Sequence, residues 1–337
     1  MQEITTFQAF ASQARAGMRA RRVLTGIAAL SFVLGAACVR PARGEATMPP
    51  NDSSARTPAQ TPPSNSPPAL APPAKTGYAP VNGLSLYYEI RGSGAPLVLL
   101  HGGLGAIEMM SAMLPALAEK RQVIAVDLQG HARTADIDRP MTYEHMADDI
   151  AGLLQHLQIE RADIIGYSLG GGVALQTAFR HPQLVRKLVV VSVPARRTGS
   201  YDEVLAAMEH VGPGLADMMK QAPMYQLYAK VAPRPQDFPL LLAKTGELIR
   251  RDYDWSKEIA ALKMPTLLVF ADADSIRPSH IVEIYGLLGG GQRDAGWDGA
   301  HRPTAQLAIL PGTTHYDIIM SPLLATAANA FLDGGAK

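Results

Sequence analysis

Ser168 stands between two glycines in the stretch DIIGYSLGGGVAL, residues 163–175. The apolar run that ends at Gly166 is typical of a buried strand, and the residues after Ser168 have helical spacing. A serine on so sharp a strand-to-helix turn has a strained backbone, and Gly166 and Gly170 leave room for the neighbouring elements. We expect the serine Oγ to be exposed at the positive end of the helix dipole, where it can act as a nucleophile.

A serine nucleophile needs a base, and the base needs a group that orients it. His315, in LPGTTHYDII, follows the last predicted strand and is the predicted base. Two acids, Asp272 and Asp274, follow the preceding strand in VFADADSIRP. We favour Asp274 because it lies further into the loop, whereas Asp272 is expected to accept hydrogen bonds from backbone amides of its own turn. The chain order is then Ser, Asp, His.

The glycine-rich stretch HGGLG, residues 101–105, follows another apolar run and predicts an oxyanion hole. Glycines let the backbone approach a carbonyl oxygen without hindrance. The predicted donors are the N–H groups of Gly103 and Leu169. His101, next to Gly102, is expected to brace this loop through a hydrogen bond rather than to take part in the chemistry.

The elements that position these residues alternate along the chain. YAPVNGLSLYYEI predicts a hairpin with a tight turn at Asn82-Gly83. Short apolar runs predict six further strands, at residues 96–101, 122–127, 162–167, 187–193, 266–272 and 306–310. Helical patterns cover residues 108–119, 143–157, 169–180, 278–288 and 322–332. Together they indicate an α/β fold with a mostly parallel central sheet flanked by helices, which binds ligands at the carboxyl ends of its strands.

Residues 194–263 break this alternation, because they contain several helical patterns and no convincing strand. We expect them to form a helical cap inserted into a sheet domain made of residues 77–193 and 264–337. The methionines and aromatic residues of this segment either pack the cap against the core, which we favour, or line a pocket. They are Met208, Met218, Met219, Met224, Tyr225, Tyr228 and Trp255.

Residues 1–46 have the layout of an export signal. A basic patch at residues 19–22 precedes an uncharged apolar run, residues 23–39, that ends in small residues. The run is somewhat short for a membrane span, although an uncleaved anchor remains the alternative, and Met18 is the expected translation start. Cys38 closes the run as LGAAC and resembles a bacterial lipoprotein cleavage site, except that Gly35 stands where leucine is usual. We expect a periplasmic or extracellular protein, with lipid attachment at Cys38 left open.

Residues 47–76 are rich in proline and poor in apolar side chains, and they predict a disordered linker that tethers the folded domain. The whole chain has 337 residues, 47% of them hydrophobic, and a net charge of +1. This near-neutral charge argues against an electrostatic nucleic-acid binder. The single cysteine excludes an internal disulfide and a cysteine-based metal site.

Taken together, LVLLHGG, VIAVDLQGHART, IIGYSLGGG, TLLVFADAD and ILPGTTHYDI resemble the α/β-hydrolase superfamily, most closely its capped esterases, enol-lactonases and non-haem haloperoxidases. The resemblance runs from Tyr78 to the C-terminus. It implies the α/β-hydrolase fold and a serine hydrolase without metal or cofactor. It also implies Ser168 as nucleophile, Asp274 as acid and His315 as base.

Three features depart from the pattern of the superfamily. Ala132 takes the place of the second glycine in the usual motif GHGR, and Ala271 stands where glycine often precedes the acid. The insertion GGGQRDAGWDGAHRP, residues 289–303, replaces the usual short link before the last strand. None of the three replaces a predicted catalytic residue.

The expected activity is hydrolysis of small-molecule carboxylic esters through an acyl-enzyme. A lactonase or a C–C bond hydrolase with the same three residues is the alternative within enzymes. A ligand-binding protein on the same scaffold is the alternative outside them, although a binder has no need of a strained serine. Epoxide hydrolases and dehalogenases resemble this fold but use an aspartate nucleophile, which Ser168 argues against.

Overall fold

The computed structural model describes residues 72–334. The predicted export signal, Cys38 and most of the proline-rich linker therefore lie outside the described residues. The first strand begins at Lys75, so the last two residues of the predicted linker, 75 and 76, belong to the folded domain instead. Within the described range, no helix is both long and apolar enough to cross a bilayer.

Eight strands form one sheet, in the order β1-β2-β4-β3-β5-β6-β7-β8. The first two pairings, β1 with β2 and β2 with β4, are antiparallel, and all the others are parallel. The fold is therefore the mostly parallel α/β type that the sequence predicts. The strands are β1 (Lys75–Val81), β2 (Leu84–Arg91), β3 (Ala95–Leu100), β4 (Arg121–Val126), β5 (Ala162–Tyr167), β6 (Val185–Val191), β7 (Thr266–Ala273) and β8 (Gln306–Thr314).

The turn between β1 and β2 follows from its two residues. Asn82 has φ +48° and Gly83 has φ +80°. Asparagine and glycine tolerate these left-handed angles, and a turn that uses both matches the twist of the flanking strands. The predicted hairpin is confirmed, with Val81 paired to Leu84.

Helices cover both faces of the sheet, and alternate residues of each strand supply the two cores. In β3, Val98 and Leu100 pack on one face while Leu97 and Leu99 pack on the other. The helices are α1 (Leu114–Ala118), α2 (Tyr143–His156), α3 (Leu169–Arg180), α4 (Asp202–Met208), α5 (Pro223–Val231), α6 (Phe238–Arg250), α7 (Ser256–Ala260), α8 (Pro278–Leu287) and α9 (Pro322–Asp333). The first core receives side chains of α2, α3 and α8, and the second receives those of α1 and α9.

The helix predicted at residues 108–119 is wrong as one continuous element. Residues 107–110 form a 3-10 turn, and α1 begins only at Leu114. Pro115 explains the break, because proline has no N–H to donate and its ring clashes with the carbonyl four residues earlier in a continuous helix. At the start of a helix both costs disappear, and Pro115 lies in the first turn of α1.

Residues 194–263, between β6 and β7, contain α4 to α7 and several 3-10 turns but no strand of the sheet. We call them the inserted segment. Tyr228 and Trp255 are buried in the first core, in keeping with a packing role. Met208 and Met224 instead line the cavity described below, and Met218 is 52% exposed. Both readings of these side chains therefore apply, to different residues, and the division into core and cap stays a prediction.

Candidate active site

Ser168 lies between β5 and α3 with φ +51°, a left-handed angle that a residue with a side chain adopts only under constraint. The neighbouring glycines explain how the turn can be so tight. A Cβ on Gly166 would lie 2.2 Å from the carbonyl oxygen of Gly170, and a Cβ on Gly170 would lie 2.3 Å from the carbonyl oxygen of His101. Both positions therefore have room only for a hydrogen atom.

Three predicted side chains meet at the carboxyl ends of the parallel strands. Ser168 Oγ lies 3.1 Å from His315 Nε2, and His315 Nδ1 lies 3.0 Å from Asp274 Oδ1. Asp274 follows β7 and His315 follows β8. The structure thus brings together the hydroxyl, the imidazole and the carboxylate at hydrogen-bonding distance, although they are far apart in the chain.

The Asp274 carboxylate is buried and fully hydrogen-bonded. Ser192 Oγ donates to Oδ2 at 2.6 Å, the Ala271 amide donates to Oδ2 at 3.0 Å, and the Ser275 amide donates to Oδ1 at 2.8 Å. Burial alone raises the pKa of the Asp274 carboxyl, but the hydrogen bonds, that from His315 foremost, outweigh it and hold the pKa below its ordinary value. The acid is therefore ionised at neutral pH.

Ser192 is a site residue that the sequence analysis missed. It follows β6 in VVVSV and has φ +54°, so a second serine of this sheet edge is held in the left-handed region. A polar residue directly after a buried apolar strand was the available signal. Tyr167 was also missed, and its hydroxyl donates to the His315 carbonyl oxygen at 2.6 Å.

Asp272 accepts backbone hydrogen bonds, as expected, and the amides of Asp272 and Ala273 in its own turn contribute to them. The two strongest contributions come from amides of β8, which the sequence does not predict. Gly312 donates to Oδ2 at 2.9 Å and Thr313 donates to Oδ1 at 3.0 Å. These bonds lower the pKa of the exposed Asp272 carboxyl and pin β8 against β7 next to His315.

The predicted oxyanion-hole amides lie beside the serine. A Cβ on Gly102 would be 3.5 Å from Ser168 Cβ, and a Cβ on Gly103 would be 3.4 Å from Leu169 Cδ1, so this loop packs directly against the start of α3. Within residues 72–334, neither the Gly103 amide nor the Leu169 amide donates to a protein acceptor. Both are therefore available to a ligand.

Two neutral histidines hold this glycine-rich loop. His101 Nδ1 lies 2.7 Å from the Gly102 carbonyl oxygen, and its Nε2 accepts from the Leu128 amide at 3.1 Å. His131 Nε2 accepts from the Leu104 amide at 3.1 Å. Burial lowers the pKa of His101 to about 4 and that of His131 to about 3, so both imidazoles are neutral and can accept these bonds at neutral pH.

A cavity of about 240 Å³ opens on Ser168 and His315. Its walls are largely apolar and come from the sheet edge and from the inserted segment, which contributes Val204, Ala207, Met208, Val211, Met224 and Ile249 among others. For scale, an apolar cavity of about 150 Å³ holds benzene. The cavity therefore accommodates a small organic molecule. In the described part of the chain, no group of three or more His, Cys, Asp or Glu side chains is arranged to hold a metal ion.

Comparison with known proteins agrees with this architecture. A family model described as alpha/beta hydrolase fold matches residues 95–223. The AB hydrolase superfamily protein YisY of Bacillus subtilis is 30% identical over 221 residues, which are 58% of this chain and 80% of that protein. The putative carbamate hydrolase RutD of Azorhizobium caulinodans is 27% identical over 220 residues, 60% of this chain and 83% of that protein.

The solved enol-lactonase structure from Burkholderia xenovorans LB400 matches with a TM-score of 0.58 at 22% identity, over 76% of this chain and 100% of that one. At that identity the structural likeness concerns the fold. The sequence match to YisY covers most of that protein. The motifs that resemble the superfamily meet at the carboxyl ends of the parallel strands. The chain belongs to the α/β-hydrolase superfamily.

Proposed function

We propose that the protein is a serine hydrolase that cleaves carboxylic esters of small molecules through an acyl-enzyme. The observation that carries the proposal is the continuous contact from Ser168 Oγ through His315 to the Asp274 carboxylate. An ionised acid on Nδ1 fixes the tautomer in which Nε2 is free to accept a proton. The imidazole is then oriented as the base for the serine hydroxyl.

The first half-reaction forms the acyl-enzyme. As Ser168 Oγ attacks the ester carbonyl carbon, His315 Nε2 takes the hydroxyl proton. The tetrahedral oxyanion accepts hydrogen bonds from the Gly103 and Leu169 amides. Preorganised donors lower the barrier most where negative charge develops in the transition state, and this oxygen is that place. The imidazolium then gives its proton to the leaving alkoxide, and the alcohol departs.

The second half-reaction releases the acid. Water takes the place of the alcohol, His315 removes its proton, and the resulting hydroxide attacks the acyl carbon. Collapse of the second tetrahedral intermediate returns the proton to Ser168 Oγ. Cleavage of a lactone, or of a carbon–carbon bond next to a carbonyl group, at the same site would share the attack of Ser168 on a carbonyl carbon. Substrates of both kinds should therefore be tested beside the esters.

Replacement of the serine tests the proposal. Ser168→Ala is expected to lower kcat for p-nitrophenyl acetate by on the order of 10⁵-fold or more. The same change is expected to abolish covalent labelling by a fluorophosphonate, whereas Ser279→Ala, at an exposed serine outside the cavity, leaves both unchanged. Hydrolysis at the wild-type rate by the Ser168→Ala protein would reject the assignment and favour a binding protein.

We also propose that the domain is exported and held by its N-terminal segment, as the predicted signal and proline-rich linker indicate. Cell fractionation of the tagged full chain is expected to place it outside the cytoplasm. Incorporation of labelled fatty acid that is lost in Cys38→Ala would establish lipid attachment. Cytoplasmic protein of full length would contradict the export proposal.

A further inference from the structure

The charge on the wall of the cavity that opens on Ser168 is of one sign only. Among the described residues that line it, Arg197 is the one with a permanent charge, and no aspartate or glutamate is among them. Its side chain is only 15% exposed. A cation on an otherwise apolar wall favours an anionic or electron-rich ligand, because the low-dielectric surroundings strengthen the attraction.

The acids that pair with Arg197 lie on the outer side of the wall. Nη2 donates to Glu209 at 2.5 Å and Nη1 lies 3.8 Å from Asp252. The two carboxylate side chains are 52% and 90% exposed, and neither lines the cavity. Because both carboxylates are largely solvated, salt and water screen their attraction for Arg197, and the guanidinium is still able to attract a second anion from the cavity side.

Two tyrosines add hydrogen-bond donors to the same wall. The Tyr143 and Tyr253 rings line the cavity with their centroids 6.2 Å apart, and the Arg197 amide donates to the Tyr253 carbonyl oxygen at 3.2 Å. Within residues 72–334, no hydrogen bond from a protein group contributes to the pKa of either phenol. Burial raises the pKa of both phenols, so they remain protonated donors at neutral pH.

This group of donors lies within reach of the reacting serine. A Cβ on Gly172 would be 2.5 Å from Tyr143 Cε1, so the tyrosine ring packs against the first turn of α3. Gly172 comes four residues, about one helical turn, after Ser168. Tyr253 and Arg197 line the same cavity as Ser168 and Tyr143, so a short acyl chain bound at Ser168 can extend within it towards them.

We propose that Arg197, Tyr143 and Tyr253 form a subsite for a carboxylate, so that the preferred substrates are monoesters of short dicarboxylic acids. The proposal rests on the ester hydrolysis proposed above and names its substrate class. The ester carbonyl lies at Ser168, and the free carboxylate at the other end of the acyl chain accepts hydrogen bonds from the phenols and the guanidinium.

The test compares two substrates that differ only at the far end of the acyl chain. Monoethyl glutarate carries a carboxylate where ethyl pentanoate carries a methyl group. The wild-type protein is expected to hydrolyse monoethyl glutarate with a kcat/KM at least about tenfold higher, as measured by pH-stat titration. Arg197→Gln is expected to remove this preference, and Tyr143→Phe and Tyr253→Phe to reduce it about threefold or more each.

Arg196→Gln is the matched control. Arg196 precedes Arg197 in the chain but pairs with Glu283 at the surface and does not line the cavity, so the preference should survive its loss. Tyr143→Phe and Tyr253→Phe remove only a hydroxyl and keep the ring. They therefore test the subsite independently if Arg197→Gln fails to fold. A preference that persists in Arg197→Gln, or the absence of a preference from a wild-type protein that cleaves either ethyl ester, would overturn the proposal.

Hydrolysis of p-nitrophenyl acetate separates this proposal from the general one. If the wild-type protein cleaves that ester but neither ethyl ester, inhibition decides: monoethyl glutarate must inhibit at least about tenfold more strongly than ethyl pentanoate, or the carboxylate subsite is rejected. If the protein neither cleaves p-nitrophenyl acetate nor reacts with a fluorophosphonate, the ester hydrolase assignment fails, and the subsite proposal fails with it.

Discussion

Ser192 Oγ donates a 2.6 Å hydrogen bond to Asp274 Oδ2, the carboxylate oxygen that His315 does not contact. The strand-end serine thereby fixes the acid while the acid fixes the imidazole. Ser192 has φ +54°, so the hydroxyl is held there at a conformational cost of about 1–2 kcal/mol. A residue in a strained conformation that contacts the proposed acid points to a positioning role.

Two substitutions at Ser192 separate the hydroxyl from the backbone strain. Ser192→Ala and Ser192→Gly both remove the hydrogen bond and are expected to lower kcat about tenfold with little change in KM. Only glycine relieves the left-handed angle, so Ser192→Gly should unfold at a higher Tm than Ser192→Ala. Calorimetry and steady-state kinetics on both variants check this, and full activity in either would argue against the positioning role.

The two acids after β7 give a matched comparison. Asp274→Asn removes the charge that orients His315 and is expected to lower kcat by on the order of 10⁴-fold. Asp272→Asn weakens the bonds to two amides of β8 at an exposed position, so kcat should fall less than about tenfold. Ester hydrolysis rates measure both. The reverse order of effects would move the acid from Asp274 to Asp272.

The crowding at the serine turn predicts a large loss of stability. In Gly170→Ala the added methyl group would lie 2.3 Å from the carbonyl oxygen of His101, against rigid backbone. We expect the free energy of unfolding to fall by about 3 kcal/mol or more in urea titrations. Gly214→Ala is the control, since nothing lies within 4 Å of a Cβ there, and it should change stability by less than about 0.5 kcal/mol.

The neutral histidines predict that the folded state becomes less stable as the pH is lowered. The folded pKa of His101 is about 4 and that of His131 about 3, below the unfolded value of about 6.5. Their stabilising effect is therefore complete above about pH 6.5 and is lost as the pH falls from there towards their folded pKa values, because the unfolded chain binds more protons. Urea titrations at pH 7.5, 6 and 5 measure the slope.

A variant identifies the source of that slope. His131→Gln keeps a neutral acceptor and should flatten the pH dependence of the unfolding free energy, although its stability at pH 7.5 is lower. His210→Gln, at an exposed histidine, should leave the profile unchanged. Equal profiles for the wild type and His131→Gln would show that other groups govern the acid sensitivity.

The sequence predicts the sheet and its sharp turns well, because the decisive interactions there are local. Asn82 and Gly83 tolerate a left-handed turn by themselves, and the spacing of Gly166 and Gly170 around Ser168 follows from contacts within a few residues. The helix predicted over residues 108–119 is interrupted before Pro115. A proline is tolerated in the first turn of a helix but breaks the helix when it lies in the interior. Propensity alone does not separate the two cases.

The contacts that complete the site could not be predicted from single residue types. Ser192 and Tyr253 become meaningful only when β6 and the inserted segment meet the ends of β5 and β7. Asp272 contacts amides forty residues further along the chain, although its own turn offers nearer partners. Each of these depends on the tertiary arrangement, which the local pattern does not contain.

The proposed base follows β8, which within the described sheet hydrogen-bonds to β7 alone. A ribosome thus finishes the serine turn long before it makes the imidazole that would activate it. Until His315 has been made, the nascent chain carries Ser168 without the proton acceptor that the proposed mechanism requires. If the proposed mechanism holds, ester cleavage begins only after this last edge strand has docked, so the order of translation itself delays it.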